Sequence, residues 1–243
     1  MEHDDFRSMA EAEGTIIDDD QAKDLLEFTK MIAAASKKFN LTGCATLPEL
    51  LKNLVLGSLA PFCGADVPRG TVFVDLGTGA GIPGVPLAVL NRYWRGVLID
   101  SSIKKIAFIN RVISERRLDN VSTKLGRAEE IAHGDLRECF DLAVSRAMGN
   151  IFFVIEAGAP FVKVGGLLYI FSHQGPDEIP EWITEHGKEL GLSIVKRNRF
   201  GDYGLKERGL LFQKTDATDP SFPRRMAVIK RDIKRLEGRI DRL

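Results

Sequence analysis

The chain has few cysteines and no long apolar run, and these two absences exclude several classes of protein. Only three cysteines and four histidines occur among 243 residues, and no two cysteines form a Cys-x-x-Cys pair. Neither a disulfide framework nor a metal site is therefore expected. No stretch of 18 apolar residues is present, so no membrane-spanning helix is predicted. The acidic N-terminus does not resemble a signal peptide, and the expected compartment is the cytoplasm.

The chain also lacks net charge, with 34 basic and 34 acidic residues, but the two signs are unevenly distributed. Residues 1–30 carry ten acids and three bases, whereas residues 196–243 carry fourteen bases and seven acids. Such polarity fits a basic face for phosphates, and it also fits two solvated ends. If the partner is RNA, the first candidates for phosphate contacts are Arg197, Arg199, Arg224 and Arg225.

A glycine-rich turn after a short apolar run is the most informative feature. Residues 71–74 have the β-branched and aromatic composition of a buried strand, and Asp75 follows them. Gly77, Gly79 and Gly81 then allow positive φ angles and the close approach of backbone N–H groups to a ligand. A predicted helix follows, so the turn lies at the carboxyl end of a strand, where open α/β sheets bind nucleotides.

Two classes of cofactor use such a turn. Residues 79–84 match the Gly-x-Gly-x-x-Gly pattern of NAD and FAD sites, but the first glycine of that pattern comes four residues too late after the strand. The Gly-x-Gly-x-Gly pattern, with an acid two residues before it, resembles motif I of the class I S-adenosylmethionine methyltransferases. A second predicted strand ends in Asp100, which can accept hydrogen bonds from both ribose hydroxyls of either cofactor. A methyltransferase is the preferred hypothesis, and a dehydrogenase stays open.

Alternating strands and helices predict an α/β fold with a doubly wound, mostly parallel, seven-stranded sheet. The predicted strands are 71–74, 96–100, 121–125, 140–145, 166–171, 192–200 and 209–214. The predicted helices between them are 86–93, 102–116, 151–161 and 178–190. The last two strands, joined through 201–204, give the sheet an antiparallel end, which is typical of class I methyltransferases rather than of dehydrogenases.

The two ends of the chain are predicted as separate regions. Residues 1–18 form a loose acidic tail, and residues 19–66 form a helical cap with helices over 20–39 and 47–59. Residues 67–222 form the methyltransferase domain, and residues 223–243 a basic amphipathic helix. The apolar residues of that helix have the spacing of a coiled-coil seam and are Met226, Ile229, Ile233, Leu236, Ile240 and Leu243. We expect the seam to pack on its own molecule in a monomer, with dimerisation or an RNA-binding arm as alternatives.

Several short motifs occur in the order found in one bacterial family. They lie at residues 39–42, 74–84, 99–101, 104–105, 126–130, 145–147, 207–208 and 222–225. Through them, residues 20–226 resemble the small-subunit (16S) rRNA guanine-N7 methyltransferases, also called glucose-inhibited division protein B. The Gly-Thr-Gly-Ala-Gly-Ile-Pro-Gly segment is the most specific of these motifs. The resemblance implies S-adenosylmethionine as the cofactor and 16S rRNA or the small ribosomal subunit as the partner.

The resemblance also implies roles for the site residues. The implied cofactor-binding residues are Asp75, Gly77, Thr78, Gly79, Gly81, Ile82, Asp100, Ser101, Ala128, Glu129 and Arg146. The three glycines and Ile82 would surround the methionine and sulfonium portion, Asp100 and Ser101 the ribose, and Ala128 and Glu129 the adenine edge. Arg146, at the end of the fourth strand, is the candidate catalytic residue and would line the methyl-transfer site. An ion pair with an acid such as Asp75 is the alternative role for Arg146.

The substrate side departs from the family pattern. Lys52 and Asn53 stand where the family usually has Arg-His, Gly57 where it has Asp, and Ser172-His173 where it has Lys-Gly. Guanine N7 carries a lone pair and no proton, so its methylation needs alignment rather than a general base. A noncatalytic RNA- or ribosome-binding relative, and a methyltransferase acting on a protein or a small molecule, are the alternative functions.

Overall fold

Helices and strands alternate in the computed structural model, which describes residues 3–37, 41, 46–62, 68–196 and 209–240. The strands are β1 (Val72–Leu76), β2 (Arg95–Asp100), β3 (Val121–Leu125), β4 (Phe140–Arg146), β5 (Val162–Phe171), β6 (Leu192–Ile194) and β7 (Gly209–Lys214). The α-helices are α1 (His3–Ala12), α2 (Asp19–Ser36), α3 (Leu47–Glu49), α4 (Gly57–Leu59), α5 (Gly84–Leu90), α6 (Ile103–Arg116), α7 (Ala128–Ile131), α8 (Ile151–Gly158), α9 (Glu181–Glu189) and α10 (Met226–Ile240). A π-helix, Leu50–Leu56, joins α3 to α4, and short 3₁₀ turns follow α4 and α8.

The described strands form one sheet in the order β3-β2-β1-β4-β5-β7-β6. β7 runs antiparallel to both β5 and β6, while the other neighbouring strands are parallel. The predicted fold class, including the antiparallel end of the sheet, is therefore confirmed. Because the strand order reverses at β1, a crevice opens beyond the carboxyl end of that strand.

The register of the sheet brings the candidate residues to one edge. Leu76, the last residue of β1, pairs with Ile99 of β2 and with Ser145 of β4. Asp100 and Arg146 each follow one residue later and end their strands. The carboxyl ends of these three strands consequently lie side by side, with the glycine turn between them.

Apolar side chains cover both faces of the sheet. Neighbouring residues of β1 point to opposite faces, and Phe73 packs in a cluster with Phe28 of α2, whereas Val74 packs in a cluster with Phe152 of α8. The first cluster joins the N-terminal helices to the sheet, and the second joins α8, α9 and α10 to it. Helices on both faces of the sheet explain why the central strand β1 is buried along nearly its whole length rather than at alternate residues.

The prediction of a loose tail over residues 1–18 was wrong. Residues from His3 to Ala12 form α1, and the side chains of Phe6 and Ala10 are fully buried against the N-terminal cluster. These two apolar residues are four positions apart and so share one face of the helix. Arg7 also forms an ion pair with Asp19 at the start of α2. The high content of acidic residues led to the prediction of a loose tail where the chain forms a short amphipathic helix.

The other predicted helices and strands occur with shifted ends. The helix predicted over 47–59 is continuous, but its middle is π-helical, and the strand predicted over 166–171 begins four residues earlier, at Val162. The helix predicted from residue 178 begins after Pro180, which has an extended backbone. The predictions for 39–40, 197–200 and 201–204 lie outside the described residues. The division of the chain at 19–66, 67–222 and 223–243 stays a prediction.

The apolar seam of α10 packs on its own molecule as far as the structure describes it. Ile229 is fully buried, and Met226, Ile233 and Leu236 pack beside it in the cluster of α8 and α9. The later seam residues Ile240 and Leu243 lie outside the described side chains. The seam therefore serves to dock α10 on the sheet domain through Leu236.

Candidate cofactor and methyl-transfer site

The glycine turn has the backbone conformation that the sequence predicts. Gly77, Gly79 and Gly81 have φ angles of +67°, +60° and +91°. The amide of Thr78 donates to the carbonyl of Ile99 at 2.9 Å, which ties the turn to the end of β2. Residues with a side chain rarely adopt these angles, so glycine is favoured at all three positions.

The glycines differ in what a side chain would meet. A Cβ atom on Gly77 would lie 2.5 Å from Cγ of Met148, and one on Gly81 would lie 2.9 Å from Cγ2 of Val85. A Cβ atom on Gly79 would meet only the carbonyl oxygen of Gly77, at 3.7 Å. Gly79 therefore faces open space rather than the protein, as a glycine beside a ligand would.

Asp75 stabilises the segment that follows the glycine turn. Its buried Oδ2 accepts a hydrogen bond from the amide of Gly84 at 2.8 Å, so it anchors the start of α5. Burial raises the pKa of Asp75 to about 7, against the opposing effects of the Thr78 hydroxyl and the Gly84 amide. Oδ1 of Asp75 and Oγ of Thr78 are both buried and make no well-formed hydrogen bond to a described residue.

Asp100 links the end of β2 to the turn. Its Oδ2 accepts from the amide of Gly79 at 3.0 Å, and its Oδ1 accepts from the amide of Ser102 at 2.8 Å. Nζ of Lys105 lies 3.6 Å from Oδ2. These contacts fix the orientation of the carboxylate, and each oxygen keeps a second lone pair for another donor.

A cavity of about 250 Å³ opens beside these residues at the carboxyl edge of the sheet. Its lining residues are Gly77, Ile99, Asp100, Ser101, Lys105, Gly126, Arg127, Ala128, Glu129, Ala147, Met148, Phe153 and Met226. The structure thus brings together five predicted cofactor residues, namely Gly77, Asp100, Ser101, Ala128 and Glu129. Asp75, Thr78, Gly79, Gly81, Ile82 and Arg146 belong to the turn, its support or the strand ends and do not line this cavity.

Sequence reasoning missed the apolar side of the cavity. Met148 reaches it from the turn after β4, where Ala147 has a φ angle of +57° and Gly149 one of +154°. Phe153 comes from α8 and Met226 from α10. No local motif marks these residues, because they come from three separate parts of the chain and meet only in the folded protein.

Arg146 lies beside a second cavity, of about 810 Å³. Its guanidinium donates to the backbone carbonyls of Leu54 and Asn53 at 2.9 and 2.6 Å, and it lies 5.4 Å from the centre of the Phe171 ring. These contacts tie the end of β4 to the π-helix of the cap. The second cavity meets the first at Ala147, which lines both.

The five residues that depart from the family pattern line the second cavity and not the first. They are Lys52, Asn53, Gly57, Ser172 and His173. Lys52 also pairs with Glu13, with 2.7 Å between Nζ and Oε1, so the segment after α1 contributes to the same surface. The departures are therefore confined to the Arg146 side of the junction between the cavities.

The predicted RNA-binding residues fall into two groups. Arg197 and Arg199 lie outside the described residues. Arg225 is exposed, whereas Arg224 is bound by the buried carboxylate of Glu156 through two of its nitrogen atoms. The acidic partners of Arg224 are Glu156 of α8 and Asp232 of α10, and not acids of the N-terminal segment.

The fold and the site together define a class of enzyme. A sheet of this strand order, with a glycine turn after β1 and a carboxylate at the end of β2 that contacts it, is that of a class I S-adenosylmethionine-dependent methyltransferase. None of the described helices combines the length and the apolar character needed to cross a membrane.

Comparison with known proteins identifies the family. Residues 21–196 match the family model described as rRNA small subunit methyltransferase G, and the chain belongs to this family. The protein of that name from Fervidobacterium nodosum is 38% identical over 190 residues, which cover 78% of this chain and 88% of the relative. That from Clostridium botulinum strain Loch Maree is 31% identical over 221 residues, which cover 88% and 91%. The predicted family and enzyme class are thus confirmed, and no finding favours a dehydrogenase.

Proposed function

We propose that this protein transfers a methyl group from S-adenosylmethionine to N7 of a guanine in 16S rRNA. The observation that carries the proposal is that two neighbouring cavities share a lining residue, Ala147. The first cavity is lined by Gly77 at the start of the glycine turn and by Asp100, and the second is lined by Arg146. A cofactor held in the first cavity is next to a base held in the second.

The residues of the first cavity fit a cationic adenosyl cofactor. Asp100 and Glu129 place two carboxylates in the lining, which suits the positive charge of the cofactor. Asp100 offers carboxylate lone pairs to ribose hydroxyls. Met148 and Phe153 form an apolar surface that suits the flat adenine ring.

Each part of the cofactor can be given its residues on this basis. The residues proposed for the methionine portion are Gly77, Thr78, Gly79, Gly81 and Ile82. Those proposed for the ribose are Asp100 and Ser101, and those for the adenine edge are Ala128 and Glu129. When bound, the cofactor supplies a methyl group activated by the positive charge on sulfur.

The chain has to align the acceptor and exclude water. Guanine N7 holds an in-plane lone pair and no proton, so no general base is needed. Arg146 is the candidate for holding the base, because its guanidinium is fixed at the junction and can donate to the base O6 or to a phosphate. We infer that the five substituted residues of the second cavity shape this acceptor side.

A basic surface beside the first cavity favours RNA as the partner. Arg225 and Lys230 line an outer pocket that shares Arg127, Glu129 and Met226 with the cofactor cavity. Positive side chains at the rim of the active site suit a phosphate backbone. Arg197 and Arg199 stay candidates beside Arg225, whereas the side chain of Arg224 is engaged by Glu156 and Asp232. A ribosomal substrate also implies a cytoplasmic protein, and the docked seam of α10 favours a monomer.

Mapping of N7-methylguanine in 16S rRNA tests the proposal. We expect one methylated guanine to be missing from cells without this gene and to return with the wild-type gene, but not with a Gly79→Val variant. If the deletion leaves every N7-methylguanine in place, the proposal is wrong. Methyl transfer from labelled cofactor to a protein or small molecule would then favour the alternative substrates.

A further inference from the structure

The C-terminal helix supplies a wall of the proposed cofactor cavity. Met226, the first residue of α10, lines that cavity together with Phe153 of α8. Arg127, Glu129 and Met226 line both this cavity and the outer basic pocket, so they form the partition between the two. The helix α10 lies beyond residues 21–196, which match the family. The position of this wall therefore depends on what holds the start of α10.

A buried carboxylate on α8 holds it. Oε1 of Glu156 accepts from the backbone amide and from Nε of Arg224 at 2.8 and 3.0 Å, and Oε2 accepts from Nη2 at 2.7 Å. Nη1 of Arg224 donates to Asp232 of α10 at 2.8 Å. Arg224 thus joins α8 to the first two turns of α10. Its contact with Glu156 is bidentate, which restricts both the distance and the orientation between the two side chains.

Glu156 is a permanent anion in this position. Burial alone would raise the pKa of Glu156, but its hydrogen bonds to His186 and Arg224 lower that pKa to about 2. Nε2 of His186 lies 2.9 Å from Oε2, and its ring stacks on Phe152 with 3.9 Å between ring centres. Because the carboxylate is fully buried, it requires a cationic partner, and Arg224 is the residue placed to serve.

The neighbouring segment is fixed from a second side. Nη1 of Arg137 donates to the carbonyl of Phe222 at 2.9 Å, and Nε2 of His133 lies 2.9 Å from the carbonyl oxygen of Pro223. The chain therefore approaches Arg224 along a defined path. The apolar seam docks α10 on the cluster of α8 and α9, and the contact between Arg224 and Glu156 fixes where the helix begins.

We propose that Glu156 and Arg224 are positioning residues that hold Met226 in the wall of the cofactor cavity. Phe153 and Glu156 lie three residues apart on α8 and so share a face, while Arg224 and Met226 lie two residues apart at the start of α10. The link consequently acts together with the buried seam of α10 in setting how closely the two apolar side chains face each other. The inference rests on the proposed function, because it takes S-adenosylmethionine as the ligand of this cavity.

Calorimetric titration of the full chain with S-adenosylmethionine tests the link. Met226→Ala and Arg224→Ala should each weaken binding by roughly threefold to tenfold. This is the loss of affinity expected when one methionine sulfur no longer contacts an aromatic ring, here the adenine of the cofactor. The double variant should bind within twofold of Arg224→Ala, since both changes act through the same side chain. Arg231→Ala is the matched control on α10, and its affinity should equal that of the wild type because this side chain is exposed.

Hydrogen exchange distinguishes positioning from general stability. In Arg224→Ala, residues 226–236 should exchange faster while the strands keep their protection. Faster exchange there with wild-type affinity, or losses that multiply in the double variant, would overturn the inference. If Arg224→Ala does not fold, Arg224→Lys replaces it. The lysine keeps a cation beside Glu156 but cannot make the bidentate contact. Wild-type affinity for S-adenosylmethionine in that variant refutes the link.

The wild-type titration separates this inference from the proposed function. A wild-type protein that does not bind S-adenosylmethionine refutes the proposed function itself. A wild-type protein that binds the cofactor, with variants at Arg224 and Met226 that bind equally well, refutes only the role of the link.

Discussion

At Gly79, the effect of a substitution on backbone strain can be separated from its effect on cofactor binding. Its φ angle of +60° requires glycine, yet a side chain there would meet no side chain of the protein. We expect Gly79→Val to abolish binding of S-adenosylmethionine, because the added methyl groups enter the space proposed for the cofactor. The backbone strain itself should cost only about 1–2 kcal/mol of stability. Calorimetry on the folded variant measures the loss.

Gly70 provides the matched control for that experiment. Its φ angle is +87°, nothing lies within 4 Å of a Cβ atom built there, and it precedes β1 at the opposite edge of the sheet. Gly70→Val should show a comparable loss of stability with unchanged cofactor affinity. If Gly79→Val binds the cofactor as well as Gly70→Val does, the glycine turn does not hold the cofactor.

Asp75 makes stability depend on pH in an unusual direction. Its pKa is about 7 in the folded protein and 3.8 as the ordinary value, so between these values the folded state binds more protons than the unfolded state. Its contribution to the free energy of unfolding therefore falls as pH rises from about 4 to about 7, and it is constant above that. A shift of this size corresponds to at most about 4 kcal/mol.

Asp75→Asn tests this dependence. The amide keeps an oxygen acceptor for the Gly84 amide and removes the charge that is costly to bury. We expect the variant to gain stability relative to the wild type as pH rises from 4 to 8, with most of the gain complete near pH 7. Urea unfolding of both proteins at several pH values measures the difference. A difference that stays constant over this range would contradict the buried, protonated state of Asp75.

At the scale of elements, the link between β4 and the π-helix connects the two cavities. Arg146 donates to two carbonyl oxygens of the π-helix, so its side chain is held where the cofactor and acceptor cavities meet. Arg146→Lys keeps the charge but cannot make both contacts in a plane. We expect methyl transfer to 16S rRNA to fall at least roughly tenfold with unchanged affinity for S-adenosylmethionine. A parallel loss of cofactor affinity would assign Arg146 to the cofactor cavity instead.

The elements also show what local patterns can and cannot predict. The strand over 121–125 was predicted with its observed ends, and Asp100 was predicted at the end of β2, because apolar strands and glycine turns are local signals. The helix α1 was missed, since its apolar residues Phe6, Met9, Ala10 and Ala12 are few and lie among acidic ones. The contact between Glu156 and Arg224 was missed as well, because the two residues are 68 positions apart and only the packing of α10 joins them.

For the molecule as a whole, zero net charge conceals a division of charge. Most acids of residues 1–30 lie on α1 and α2, whereas Arg225 and Lys230 of the C-terminal segment line the outer pocket beside the cofactor cavity. Arg224 faces inward to Glu156, so it contributes to the fold rather than to the exposed charge. Arg225 and Lys230 are exposed, and we propose them as contacts to a phosphate backbone.

Arg225→Ala tests this surface without disturbing Glu156. If Arg225 contacts a phosphate, the variant should bind 16S rRNA more weakly, and the slope of log affinity against log salt should become shallower by about 0.7–0.9, because one contact no longer releases counterions. Its affinity for S-adenosylmethionine should not change. Arg111→Ala is the control, since that exposed side chain on α6 does not line the outer pocket and should leave both affinity and slope as in the wild type. An Arg225→Ala variant with the wild-type slope would show that the RNA lies elsewhere on the molecule, whatever its affinity.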